Sequence, residues 1–218
     1  MSSPKHRSKV YQAHKSKRIS EEPIWRPVAR FTAGELPQSN RHWLLDDGSL
    51  TSRLIALSDG DFRVNRLFQG WQVPRPSERR LLNLPPRELA LIREVALLTH
   101  EQSVVFARSV FPLSCLTGSL SHLRRLQTKP LGAILFKHPG MRRAPFELTN
   151  MSGRSDYLPQ ALHQSEPVWG RRSRFMIEGK SLMVSEVFLN AFEPWPDIAP
   201  VHRAQRGKVS TANVLAKQ

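Results

Sequence analysis

The segment SLMVSEVFLN, residues 181–190, constrains the fold more tightly than any other ten residues of the chain. Read as a strand, it puts Leu182, Val184, Glu186 and Phe188 on one face and Met183, Ser185, Val187 and Leu189 on the other. Both faces are apolar, so Glu186 is a carboxylate on a core-facing position. Burying it without a partner costs roughly several kcal/mol. The preceding residues, RRSRFMI and then Glu178-Gly179, make a hairpin with a tight turn. A two-residue turn sets Arg171 opposite Glu186, and a one-residue bulge sets Arg172 there instead. Glu186 therefore needs an arginine or a ligand.

A second charge is placed in the same way. RELALIREVALL has helical propensity, yet its odd positions alternate cleanly, and it is followed by the β-branched and aromatic SVVFARSVFP across a plausible THEQ loop. The hairpin partner favours a strand, which aligns Arg93 with Leu89, Leu91, Val95 and Leu97. Opposite charges on core-facing positions of two hairpins either neutralise each other or bracket a polar ligand in a cavity. A third element is TKPLGAILF. It opens a short helix with Thr128 as a plausible cap and Pro130 in its first turn, so that the Leu131 amide points outward, ready to donate to a carboxylate.

Elsewhere, RHWLLDDGSLTSRLIAL reads as two short helices broken at Asp47-Gly48, with Ser49 as N-cap of the second and Leu50, Leu54 and Leu57 facing inward. DFRVNRLFQG reads as a strand, and WQVPRPSERRLLNLPP is too proline-rich for a regular element. Leu120, Leu123 and Leu126 follow at helical spacing. Paired strands with helices between them make an antiparallel α+β domain. Flanking prolines place it at residues 39–195, between a basic, mobile N-terminal tail (1–38) and a basic C-terminal tail (196–218).

The net charge is +15, and part of it crowds into those tails, with Lys5, Arg7, Lys9, Lys15, Lys17 and Arg18 at the start and Arg203, Arg206, Lys208 and Lys217 at the end. Without interleaved aromatic residues it implies solvated segments rather than a specific nucleic-acid partner. No apolar run approaches the ~20 residues that span a bilayer, so neither membrane insertion nor export is expected. Cys115 is the single cysteine, which excludes an internal disulfide and fits a reducing cytoplasm. The eight histidines have no metal-ligand spacing, and neither a nucleotide-binding glycine pattern nor a serine-hydrolase elbow occurs. The expected chemistry uses no cofactor and no metal.

Six stretches in order, WLLDDGSLTSRL, LIREVALL, ARSVFP, KPLGAILF, WGRRSRF and LMVSEVFL, resemble the chorismate lyase (chorismate-pyruvate lyase) family from about Trp43 to Leu189. The family's FLP reads FLN here, and MSGRSDYLPQALHQ falls outside the pattern. The resemblance implies a single highly twisted antiparallel sheet with helices packed on one face. It also implies conversion of chorismate to 4-hydroxybenzoate and pyruvate for ubiquinone biosynthesis, by a monomer. By position it assigns Leu50, Arg93, Leu131 and Glu186 to substrate binding. Arg93 and the Leu131 amide hold the ring carboxylate, Glu186 meets the hydroxyl end, and Arg93 and Glu186 carry the catalysis. The alternatives are a related chorismate-processing enzyme with another hydroxybenzoate product, or an effector-binding domain of the same fold. No helix-turn-helix pattern precedes the domain.

Overall fold

The computed structural model describes residues 22–36 and 38–194. Its elements in chain order are β1 (Arg26–Pro27), α1 (Gln38–Leu44), α2 (Leu50–Leu57), β2 (Phe62–Gln72), α3 (Pro76–Leu82), β3 (Ala90–Thr99) and β4 (Gln102–Pro112). A 3-10 helix at Gly118–Arg125 leads to α4 (Leu131–Leu135), β5 (Arg142–Arg143), β6 (Glu147–Met151), β7 (Val168–Ile177) and β8 (Lys180–Phe188). The strands form one antiparallel sheet in the order β1-β6-β7-β8-β4-β3-β2, with β5 also paired to β7.

Two tight turns set the register at the centre of this sheet. His100 and Glu101 join β3 to β4 with φ of 48° and 63°, and Glu178 and Gly179 join β7 to β8 with φ of 51° and 74°. Two consecutive residues of positive φ give the turn whose twist matches the flanking strands. RELALIREVALL is thus a strand, because its pairing with β4 outweighs its helical propensity. Leu89 precedes that strand and is half exposed.

Strand alternation divides the molecule into a front and a back. On the front, α1 and α2 cover Val95, Leu97, Val105 and Phe188, while the Gly118–Arg125 helix and α4 cover Leu91, Phe111, Phe175 and Leu182. Most helical segments lie here. On the back, α3 packs its Leu82 against Ile92, Val110 and Met183, and Tyr157 and Leu158 pack against Phe106 and Val187.

Three sequence expectations need correction. The proline-rich stretch does contain a helix, because Pro76 occupies the first turn, where no amide is needed, and Glu78 accepts the Arg75 backbone N–H at 2.9 Å. The domain also begins well before residue 39. β1 pairs with β6, and Phe31 and Leu36 are buried in the front core, so residues 22–36 are part of the fold rather than a tail. Residues 1–21 of the expected N-terminal tail and the whole expected C-terminal tail, 196–218, lie outside the described residues. In α2, Ser49 caps as expected, accepting from the Ser52 amide, but Leu57 is 40% exposed. The helix ends there, and the next residue, Ser58, takes the buried position with its hydroxyl on the Leu54 carbonyl.

The back of the sheet holds an ion network that alternation did not reveal. Glu78 is fully buried and takes both Nε (2.7 Å) and Nη2 (3.0 Å) of Arg108, whose Nη1 reaches Glu94 at 2.6 Å. Burial pulls the Arg108 guanidinium down in pKa, but the adjacent Glu78 outweighs it and holds the group above its ordinary value. Beside it, Arg172 donates to Glu147 (2.7 Å) and Ser77 (2.9 Å), and Tyr157 and Ser185 share a 2.6 Å hydrogen bond.

Candidate functional site

Leu50, Arg93, Leu131 and Glu186 line one cavity on the front of the sheet. It leaves about 50 Å³ for the centre of a water molecule. Its floor comes from alternate residues of β3, β4 and β8, among them Val95, Ala107, Ser109 and Val184, and its cover comes from the starts of α2 and α4. At their contact α4 presents Gly132, which has no side chain, to the side chains of Ser49 and Thr51. A Cβ on Gly132 would stand 3.2 Å from Thr51 Oγ1 and 3.3 Å from Ser49 Oγ, so a glycine is what permits the close approach.

Arg93 is 2% exposed. Its Nε and Nη2 donate to the Gln127 carbonyl at 3.2 and 2.9 Å, and Nη2 also donates to the Lys129 carbonyl at 2.9 Å. These bonds aim the guanidinium from the loop that leads into α4. Among the described residues it has no carboxylate within ion-pairing distance. Burial, with a smaller push from the Arg66 cation, therefore lowers its pKa to about 10.

Leu131 is the first residue of α4, but Pro130 is its N-cap rather than its first helical residue, and no side chain caps the helix. Thr128 does not take the capping role expected of it. The Leu131 amide is one of the first-turn donors that have no acceptor within the helix.

At the other hairpin the register is the unbulged one, with Arg171 opposite Glu186. Arg171 Nε donates to Glu186 Oε2 at 2.6 Å, while Arg172, on the back, belongs to Glu147. Arg171 is 1% exposed, and its Nη1 gathers the carbonyls of Trp43 (3.1 Å), Leu44 (3.2 Å) and Asp46 (2.9 Å). One guanidinium thus ties Glu186 to the end of α1 and to the turn that follows it. Arg53 and Asp46, 2.6 Å apart, brace the same turn.

Sequence reasoning missed Arg143, which also lines the cavity. It sits on the two-residue strand β5, opposite Phe175, in a segment with no alternation long enough to read. Its Nη2 is 4.0 Å from Glu186 Oε2. Burial and the neighbouring Arg171 cation lower its pKa to about 9, against the weaker pull of Glu186, Asp47 and Asp46.

The described residues contain no group of three or more His, Cys, Asp or Glu side chains able to hold a metal ion, and none of their helices is long and apolar enough to cross a membrane. The arrangement is suited to anions. Two guanidiniums, a helix-start amide and a carboxylate surround a small space of mixed polar and apolar lining.

The sequence model of the family described as "Chorismate lyase" matches residues 21–195. A relative from Pseudomonas aeruginosa (strain UCBPP-PA14), named "Probable chorismate pyruvate-lyase", is 43% identical over 159 residues, covering 73% of this chain and 88% of the relative. One from Methylococcus capsulatus with the same name is 40% identical over 159 residues, covering 72% and 98%. Among solved structures, a GntR-family transcriptional regulator from Bacillus cereus aligns with a TM-score of 0.48 at 8% identity, covering 64% of this chain and 99% of that one. The family match takes in every described strand and helix, and the two relatives are matched over most of their length: the chain belongs to the chorismate lyase family.

Proposed function

We propose that this protein is a chorismate lyase, converting chorismate to 4-hydroxybenzoate and pyruvate in the cytoplasm, as a monomer and without a cofactor, to supply ubiquinone biosynthesis. The observation that carries the reading is a single cavity lined by Arg93, Leu131 and Glu186, in which Arg93 is buried with no carboxylate partner among the described residues. An anion bound there relieves the cost of that burial.

In this reading the ring carboxylate lies between the Arg93 guanidinium and the Leu131 amide. A planar fork matches a carboxylate in two bonds, and a low-dielectric surrounding strengthens them. Glu186 accepts from the ring hydroxyl at the other end, and Leu50 closes over the ring. Loss of the enolpyruvyl ether together with the hydrogen on the hydroxyl-bearing carbon makes the ring aromatic, which supplies the driving force. The side chains position the ring, exclude water and assist the proton's departure at Glu186.

The test is direct. Purified protein is mixed with chorismate, 4-hydroxybenzoate is followed by absorbance, and pyruvate is followed by a lactate dehydrogenase couple. Equal amounts of the two products are expected. Folded protein that forms neither would refute the assignment.

A further inference from the structure

We propose that Arg143 is the receptor for the second carboxylate of a dianionic substrate, the one carried on the enolpyruvyl ether. This rests on the reading of the cavity as a chorismate site. It adds a specificity-determining residue that distinguishes substrate from product.

Position comes first. The ether carbon of the ring is adjacent to the hydroxyl-bearing carbon, so a ligand that presents its hydroxyl to Glu186 carries its ether carboxylate nearby. Arg143 Nη2 lies 4.0 Å from Glu186 Oε2. The Arg93 end is already matched by the ring carboxylate.

Orientation is also fixed. The Arg143 guanidinium stacks 3.9 Å from the centre of the Phe146 ring and 5.0 Å from that of Phe175. Its Nε donates to Ser173 Oγ at 3.2 Å and its Nη1 to the Asp47 carbonyl at 3.3 Å. An aromatic face holds a guanidinium plane without neutralising its charge.

Charge gives the third argument. Glu186 has a nearer partner in Arg171, at 2.6 Å, and Asp46 is paired with Arg53 at 2.6 Å. The charged side chains that line the cavity are Arg93, Arg143 and Glu186, and Arg171 pairs with Glu186, which leaves two guanidiniums facing the space, with Asp47 drawing on Arg143 from outside the lining. Two guanidiniums suit a dicarboxylate better than a monocarboxylate product.

The chemistry follows. When the ring carbon-oxygen bond breaks, its electron pair goes to the departing enolpyruvate oxygen, beside a fixed cation. The hydrogen on the hydroxyl-bearing carbon leaves as a proton, and the enolpyruvate takes up a proton at its methylene carbon to become pyruvate. No other reactant is needed. A cation at the developing enolate stabilises charge that the substrate does not yet carry.

The experiment compares three ligands on wild type, Arg143→Gln and Arg143→Lys, with thermal melts confirming the fold. These are chorismate by steady-state kinetics, and 4-hydroxybenzoate and the stable dicarboxylate 3-(carboxymethoxy)-4-hydroxybenzoate by calorimetric binding. In Arg143→Gln, kcat/KM for chorismate falls and Kd for the dicarboxylate rises by about 10- to 100-fold, as for loss of hydrogen bonds to a charged group. Kd for 4-hydroxybenzoate stays within about threefold, and Arg143→Lys recovers part of the loss. A parallel loss for both ligands, or no loss for either, overturns the inference. Wild-type protein that does not turn over chorismate but loses the dicarboxylate selectively in Arg143→Gln would refute the lyase reading and leave this one standing.

Discussion

Replacing Arg93 by Met separates binding from stability. The lowering of the Arg93 pKa from its ordinary value to about 10 corresponds, at about 1.4 kcal/mol per tenfold step, to a cost of burial and Arg66 repulsion of about 3 kcal/mol. Methionine removes that cost and fills most of the volume. It also leaves the Gln127 and Lys129 carbonyls without their donor, at about 1–3 kcal/mol each. The two effects nearly cancel, so a net loss of about 1 kcal/mol is expected, or a Tm lower by roughly 2–4 °C. Ligand response should differ far more. With 4-hydroxybenzoate at 100 times its Kd, wild type gains about 2.7 kcal/mol, which raises Tm by roughly 5–11 °C. The variant should show no such rise. Scanning calorimetry with and without ligand reads both quantities. A loss of more than about 4 kcal/mol would make Arg93 a structural brace, and an unchanged ligand-induced rise would remove it from the site.

Glu78→Gln should destabilise the protein by about 3 kcal/mol, the low end for breaking a buried pair, because Glu94 still faces Arg108. Urea denaturation checks this, and a loss below about 1 kcal/mol would show that the pair contributes little. Glu186→Gln should keep the fold and lower kcat on chorismate by about 100-fold or more, measured at steady state, and full activity would remove its proposed role. Burial, against the pull of Lys180, pushes the Cys115 thiol up to about 11, so native protein should be silent to Ellman's reagent at pH 8 and react once unfolded. Because the unfolded thiol ionises first, Cys115 contributes stability below about pH 9 and loses it as pH rises toward 11. A Cys115→Ala variant should lack that share of the alkaline decline in a pH series of melts.

The parts of the site that sequence made legible are those carried on long strands beside a tight turn. The two-residue turn at Glu178-Gly179 set Arg171 opposite Glu186, and strand parity set Arg93 beside Val95 and Leu97. What stayed hidden depends on short elements whose position comes from tertiary contact. Arg143 lies on two residues of strand with no period to read, and its place follows from pairing with Phe175. The segment before residue 37 looked like a tail because prolines outnumber its periodic positions, yet Trp25, Phe31 and Leu36 fill gaps at the edge of the cores. Glu78 was unreadable for a related reason: its partner Arg108 is on β4, and only folding brings α3 over that strand.

The ion network behind the sheet bears on how the site avoids misassembly. Four strands, β3, β4, β7 and β8, have a polar residue committed on the opposite surface beside one that faces the cavity or Glu186: Glu94 after Arg93, Arg108 after Ala107, Arg172 after Arg171 and Ser185 before Glu186. A slip of one residue in any pairing turns each strand over. On β3 and β7 it would turn an arginine away from the cavity side and, in the same movement, take Glu94 or Arg172 from its partner at the rear. Two independent penalties therefore guard one alignment, so the strands that hold Arg93 and Arg171 have a single admissible phase.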